Sequence, residues 1–517
     1  MYRNPIVRMA APNHPQPQRL MNFRDGVPDK VGVALYACYL AVFQFANGFY
    51  FSTMAQLEGE RALTASDTHM MGFTTLIGCC FFFPWAFRLK FRFTNKTSLT
   101  VAAAVLLGIN LLFPHVRSHA LLLLLCYVGG FFRLYGTFEC LSNLLPRVTP
   151  TFNYAVFLSF VFFTVIGCVG IFDWVAVQII HHYGWQHVHA TATLLCILLI
   201  VAVQLSMRHF RPMPAKPLSG TDPLGMLLWS VFILAAIFAF CYGEELDWLH
   251  DRRIRLAIGI SLLSLAASLW RMTYVRHAFI DYAAFRCPNL LCLLLLFLGL
   301  DVLLGAQTVL QNTFASHILG YGQTTMAWLK FPEWIGAAAA AVFCLVGRTR
   351  LQWRLRTLAF WSLFAVVAYE WLMCRLIWQD LSLAQLWLPS FLVGFGHVGV
   401  FIALTVYAQA YCDFKYYFQV LCILGFIRMG LGDAVGVAVW GHALSGTMSQ
   451  HLSAVGMMSD WSGNIGFDRM VTAVANEALM ESLRELYGWA TVTGVGVLIV
   501  ANVVAHVGAW KKKVCRT

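Results

Sequence analysis

Uninterrupted apolar runs, each close to the length of a bilayer-spanning helix, recur along the chain with short polar joints between them. Three of them are "VGVALYACYLAVFQFANGFYF", "LLCLLLLFLGLDVLLGAQTVL" and "ATVTGVGVLIVANVVAHVGAW". A helix needs about 20 apolar residues to cross a bilayer core, whereas a barrel strand needs only about 10. Lipid admits no other spanning structure, because backbone groups left unpaired there cost too much. The pattern predicts an all-α polytopic membrane protein with fourteen spans. They fall near 31–54, 68–88, 97–115, 119–143, 154–180, 189–208, 224–243, 254–273, 287–315, 324–346, 357–378, 383–411, 416–444 and 488–510.

Alternate joints are basic: Arg88, Lys90, Arg92 and Lys96 after span two, Arg208, Arg211 and Lys216 after span six, and Arg348, Arg350, Arg354 and Arg356 after span ten. The tails add Arg3, Arg8, Arg19, Arg24 and Lys30 at one end and Lys511, Lys512, Lys513 and Arg516 at the other. The remaining joints carry Glu58, Glu60, Asp67 and the long segment 446–486, in which a short amphipathic helix is expected. Positive charge collects on the cytoplasmic side of membrane proteins. Both termini are therefore expected in the cytoplasm, and the bias accounts for the net charge of +12 without a nucleic-acid partner. Residues 1–30 lack an apolar core and are read as a cytosolic tail rather than a signal peptide. The fifteen cysteines, with no CxxC pair, are read as small buried hydrophobes.

Two distant regions repeat at one offset. Shifted by 260 residues, Arg88 falls on Arg348, Lys96 on Arg356, Gly170 on Gly430, Asp173 on Asp433 and His182 on His442. A constant offset points to duplicated halves, a recurrent origin of transporters. The domains expected are a tail (1–30), a six-helix bundle (31–209), a linker with an inserted two-helix hairpin (210–286), a second six-helix bundle (287–510) and a cytosolic tail (511–517). "YGEELDWLHDRRIRLAIG", with four acids before three arginines, becomes the tip of the hairpin.

"GEELDW" before span eight, "HILGYGQTTMAWLKFP" between spans nine and ten, and "HHYGWQHVH" between spans five and six carry a family likeness. The chain resembles the major facilitator superfamily, within it the fourteen-span drug:proton antiporters of the EmrB/QacA type. The resemblance implies a major facilitator fold and proton-coupled efflux of amphipathic or aromatic small molecules from a bacterial inner membrane. A periplasmic adaptor on the outer face is a further implied partner. The joint after span two departs from the family motif, with Phe91 at the position of its Asp and Arg92 and Lys96 kept. "FDWVAV" stands where the antiporter motif would lie, and span one offers Gln44 and Asn47 instead of an Asp.

An ionisable group inside a span is costly, so each must face a cavity or a partner. Candidates for the substrate and proton pathway are Arg133, Glu139, Asp173, Asp301, Thr308, Gln311, Lys330, Glu333 and Asp433; Arg88, Arg92, Lys96, Arg348 and Arg356 are candidates for gating loops. Lys330 and Glu333, three apart on one helix face, are expected to pair. Asp301, Thr308 and Gln311 read as one polar stripe lining a cavity. Gly170 and Gly430 are expected to bring helices close to Asp173 and Asp433. His181, His182, His187 and His189 lack a carboxylate or Cys to complete a metal site. No nucleotide motif is present, so no cofactor is expected. Two alternatives stand beside efflux: uptake or symport of an organic anion, suggested by arginines within spans, and a membrane-embedded acyltransferase built on His397.

Overall fold

The computed structural model describes residues 21–149, 153–211, 221–458 and 467–514. Fourteen long helices carry the fold: α1 (Asp29–Phe45), α2 (Ala65–Arg92), α3 (Asn95–Leu112), α4 (His119–Val148), α5 (Tyr154–Tyr183), α6 (Gln186–Ser206) and α7 (Pro223–Cys241) come first. They are followed by α8 (Arg252–Tyr274), α9 (Leu290–Ile318), α10 (Gln323–Thr349), α11 (Leu355–Leu376), α12 (Leu383–Tyr411), α13 (Phe414–Met458) and α14 (Phe467–Val514). Thirteen of them are long and apolar enough to cross a membrane, and α1, at 17 residues, is the remaining one. Shifted by 260 residues, the starts of α1 to α5 land within four residues of the starts of α9 to α13.

Lipid-embedded helices gain little from hydrophobic exclusion and associate through close packing, which small residues permit. A Cβ on Gly130 of α4 would sit 1.8 Å from the Thr75 carbonyl oxygen of α2. The equivalent contact in the second half is made by Gly394 of α12, whose Cβ would sit 2.0 Å from the Glu333 carbonyl of α10. Gly305 of α9 and Gly436 of α13 abut backbone to backbone.

The hairpin α7–α8 is not peripheral. The Trp229 ring of α7 stacks on Phe426 of α13 at 5.7 Å, and Tyr127 of α4 hydrogen-bonds Ser230 at 2.7 Å. Its tip reaches both halves. Tyr242 donates to Asp67 at the start of α2, while Glu244 accepts from Ser445 of α13 at 2.8 Å and meets His442 at 2.7 Å. Those bonds hold the exposed Glu244 carboxyl below its ordinary range.

Four expectations need correction. Segment 446–486 is not a loop with a short helix: α13 runs on to Met458 and α14 starts at Phe467, so both spans continue as helix beyond the apolar stretch. Residues 459–466 of the loop expected to meet an adaptor lie outside the described residues, and the rest of that segment is helix. Residues 511–514, read as tail, close α14, whereas residues 1–20 lie outside the described residues. Cys287, before α9, and Cys412, between α12 and α13, form a disulfide, which their separation of 125 residues hides in the sequence. Gly430 does abut Ile77 and Ile237, but a Cβ on Gly170 would meet nothing within 4 Å.

The α7–α8 hairpin is anchored by one carboxylate. Asp222, with its side chain 3% exposed, caps α7 through the Gly225 amide and takes three guanidinium contacts from Arg271 at 2.9, 3.1 and 3.2 Å. Burial pushes this carboxyl up, but the Arg271 and amide bonds outweigh it and hold it below the ordinary Asp value. A depressed folded-state value means stability that is complete at neutral pH and lost as pH falls through it. Asp222→Asn should cost about 1–3 kcal/mol at pH 7 by loss of charge-assisted bonds. In thermal melts of detergent-solubilised protein, the wild-type advantage should shrink below about pH 4, the ordinary Asp range; an advantage that does not change with pH would contradict the assignment.

Candidate functional site

The two halves meet along a seam lined by α2 and α5 on one side and α10, α12 and α13 on the other. Toward the basic end of the bundle the seam is closed by Phe87 against Phe418, ring centroids 4.6 Å apart. Toward the opposite end Trp174 of α5 packs on Trp328 at 5.5 Å and on Phe331 at 5.4 Å. Between these plugs lie the ionisable side chains.

On the first half, α1 ends at Phe45 and the chain turns through Ala46–Tyr50, with Gly48 at φ +85°. The break frees Asn47 to face α4. Arg133 of α4, 6% exposed, donates to Asn47 Oδ1 at 2.9 Å and to Gln44 Oε1 at 2.8 Å. Gln44 in turn donates to Thr137 at 2.7 Å. Among the described residues no carboxylate pairs with Arg133. Glu139, two turns further along α4 and fully buried, has one oxygen 3.4 Å from Lys90 Nζ. Lys90 is a partner that the gating-loop reading passed over. It reaches Glu139 because α2 stays helical through Ala86–Arg92 rather than opening into a loop.

On the second half, Lys330 and Glu333 of α10 pair at 3.0 Å, as their spacing requires. The Lys330 side chain is partly accessible. Asp173 of α5 lies within electrostatic range of this pair from across the seam. His397 of α12 faces Glu333, Lys330 and Arg428 and packs edge-on against Phe401 at 4.4 Å. Arg428 sits in a π-helical turn, Ile427–Leu431, with its guanidinium 4.6 Å from the Phe401 ring and 5.2 Å from Phe162 of α5. Asp301 and Asp433 flank Arg428 electrostatically. The π turn that aims Arg428 has no sequence signature.

The expected polar stripe on α9 is split. Asp301 is 0% exposed and wedged against Gly432, whose Cβ would lie 2.3 Å from Asp301 Oδ2. Thr308 is exposed, and Gln311 is buried, accepting from Tyr369 of α11 at 2.9 Å. Two π turns, Gln307–Gln311 and Phe314–Ile318, shift the register, so a stripe extrapolated at 3.6 residues per turn fails here. The repeat-related Asp173 and Asp433 also part company, one beside Lys330 and the other beside Arg428.

The gating candidates are divided. Lys96 donates to the Gln204 carbonyl at 3.2 Å and Arg348 to the Trp353 carbonyl at 3.3 Å. Arg88, Arg92 and Arg356 make no hydrogen bond or ion pair among the described residues. His189 is a core residue, 1% exposed, bonded to Asn110 at 3.0 Å and stacked on Phe113.

Two bundles related by a repeat, with a hairpin inserted between them, are the architecture of the major facilitator fold. Solved structures agree. A structure described as an auto-inhibited POT family peptide transporter superposes with a TM-score of 0.50 at 15% identity, covering 88% of this chain and 96% of that one. The POT family transporter PepTSo superposes with a TM-score of 0.51 at 13% identity, covering 89% of this chain and 98% of that one. No family model matches the sequence, and no curated protein does.

The seam contacts define a crosslinking test. In a background without native cysteines, Phe87→Cys with Phe418→Cys and Trp174→Cys with Trp328→Cys should both be joined by a short thiol crosslinker in membranes. If only one pair crosslinks, the other end of the seam stands open.

Proposed function

We propose that this protein is a secondary active transporter for a small organic anion, and that Arg133 is the group that receives the anionic end of the substrate. One observation carries this reading. A guanidinium taken out of water costs several kcal/mol unless an opposite charge compensates it, yet the Arg133 partners are two neutral amides. A carboxylate or other anion entering the seam supplies the missing countercharge. Arg428 gives the other half a second cation, and Glu333 and His397 give it acidic and basic partners for a polar substrate end. Two fold neighbours are described as peptide transporters or as belonging to that transporter family. A short peptide, which bears a carboxylate, therefore belongs among the first substrates to assay.

Efflux of amphipathic drugs is less well supported, since an uncompensated arginine has no use for a neutral or cationic aromatic compound. The acyltransferase reading loses its basis too, because His397 faces a salt-bridged Glu333 and two cations rather than a nucleophile.

Proteoliposomes decide between these readings. Preloaded organic anions or dipeptides should drive counterflow of labelled substrate, and cationic dyes should not. Arg133→Gln should raise KM about 10- to 100-fold, matching the roughly 1.5–3 kcal/mol of a charge-assisted hydrogen bond. Arg133→Lys should recover only part of this, since an ammonium cannot reproduce the forked geometry. An unchanged KM for anions in Arg133→Gln would refute the assignment.

A further inference from the structure

The joint after α10 carries arginines that the rest of the chain leaves without a countercharge. From Trp334 to Tyr369 the sequence has Arg348, Arg350, Arg354 and Arg356 and no acid. In the first half the positions equivalent to Arg350 and Arg356 are occupied by lysines with partners: Lys90 pairs with Glu139, and Lys96 donates to the Gln204 carbonyl. The side chains of Arg350, Arg354 and Arg356 make no hydrogen bond or ion pair among the described residues. Arg350 and Arg354 are exposed.

An apolar groove of about 580 Å³ runs from this joint along α10. Ile335, Ala338, Ala339, Val342 and Val346 line it, at spacings of three and four that set them on one helix face. The two alanines form the trough, and Ile335 and Val342 are exposed, so the groove opens away from the bundle. Trp353 closes it beneath the arginines. Its ring packs on Phe343 at 5.6 Å, its amide donates to the Gly347 carbonyl at 2.8 Å and its carbonyl accepts from Arg348 at 3.3 Å. The turn reaches this position because Gln352 adopts φ +51° and because Gly347 has no Cβ, which would lie 3.1 Å from the Trp353 ring. From Ile335 to Val346 the helix rises about 16 Å, close to the half-thickness of a bilayer core, about 15 Å.

We infer that this groove and joint form a binding site for an anionic phospholipid, with one acyl chain along α10 and the phosphate headgroup at Arg350, Arg354 and Arg356. The warrant is that an apolar trough of one-leaflet length runs directly into uncompensated cations. Basic clusters flanking a span attract anionic headgroups. A zwitterionic lipid brings its own cation to the arginines, and a free anion leaves the trough empty. A second copy of this chain, packed here by two-fold symmetry, would set one basic joint against the other.

Photoactivatable lipids test the site in proteoliposomes. Phosphatidylglycerol and phosphatidylcholine, each with a diazirine in the acyl chain, are compared by mapping the labelled peptides. Phosphatidylglycerol should label residues 335–346 roughly tenfold more than phosphatidylcholine. The exposed Leu194 and Leu198 of α6 should take up both equally and report correct insertion of every variant. Arg350→Gln combined with Arg354→Gln should lower the phosphatidylglycerol signal to the phosphatidylcholine level. Ala339→Trp fills the trough and should remove the label from 335–346 with every arginine in place. Equal labelling by the two lipids in the wild type would make the groove ordinary lipid-facing surface and overturn the proposal. A phosphatidylglycerol preference that survives the paired arginine substitutions, or the filled trough, overturns it too. Val342→Cys, in a background without native cysteines, should give no dimer with a short thiol crosslinker; a crosslinked dimer would put a second copy in the groove instead of a lipid.

Discussion

The constraint on which the structure depends is the cost of an uncompensated polar group in a lipid-embedded bundle. It forces the backbone into helices, because only there are all amides paired within one segment. It also dictates where charge goes. Glu139 takes Lys90, Asp222 takes Arg271 and Lys330 takes Glu333. Other buried groups are left incomplete among the described residues: Arg133 has only amides, and neither Asp301 nor Glu370 has a hydrogen bond to either carboxylate oxygen.

The same economy explains the glycines. Carbonyl oxygens of one helix approach a neighbour's Cα at Gly130, Gly336 and Gly394, and these contacts lock α2 to α4 and α10 to α12. Each half is held together by close backbone contact. The seam between halves uses aromatic rings, such as Phe87 on Phe418 and Trp174 on Trp328. Rings can slide and part without leaving backbone groups exposed, and the interface between the halves is the one without glycine locks of this kind. The inserted hairpin crosses it at one end, through Tyr242 on Asp67 and Glu244 on His442, and so belongs to that interface rather than to the periphery.

Much of this was legible in the apolar runs. Their length and number set the fold, and the offset of 260 residues located the repeat before any coordinates. The Lys330–Glu333 pair followed from a spacing of three. What failed did so for physical reasons. Segment 446–486 is polar enough to read as a loop, but a helix with its core-facing stripe intact continues past the bilayer: Leu479, Leu483 and Leu486 of α14 are all buried. The α9 stripe failed because π turns have no composition signature. The Arg133 partners Gln44 and Asn47 lie 89 and 86 residues away, so only the tertiary fold joins them. The likeness drawn from hairpin and loop patterns reached the fold, while the fourteen-span antiporter family within it is not confirmed. The charges at the seam, which bear on function, fall outside those patterns.

Divergence between the halves is the last element. The 260-residue repeat gives Asp173 and Asp433 equivalent positions, yet the fold gives them different neighbours. Asp173 lies within electrostatic range of a salt bridge whose two charges already balance each other. Asp433 faces an arginine that it must share with Asp301. The first half contributes a bare cation, and the second contributes a cation outnumbered by acids. A site built this way is polar along the direction that crosses the seam. The two halves share a helix plan and differ in charge, and that difference lies across the interface between them.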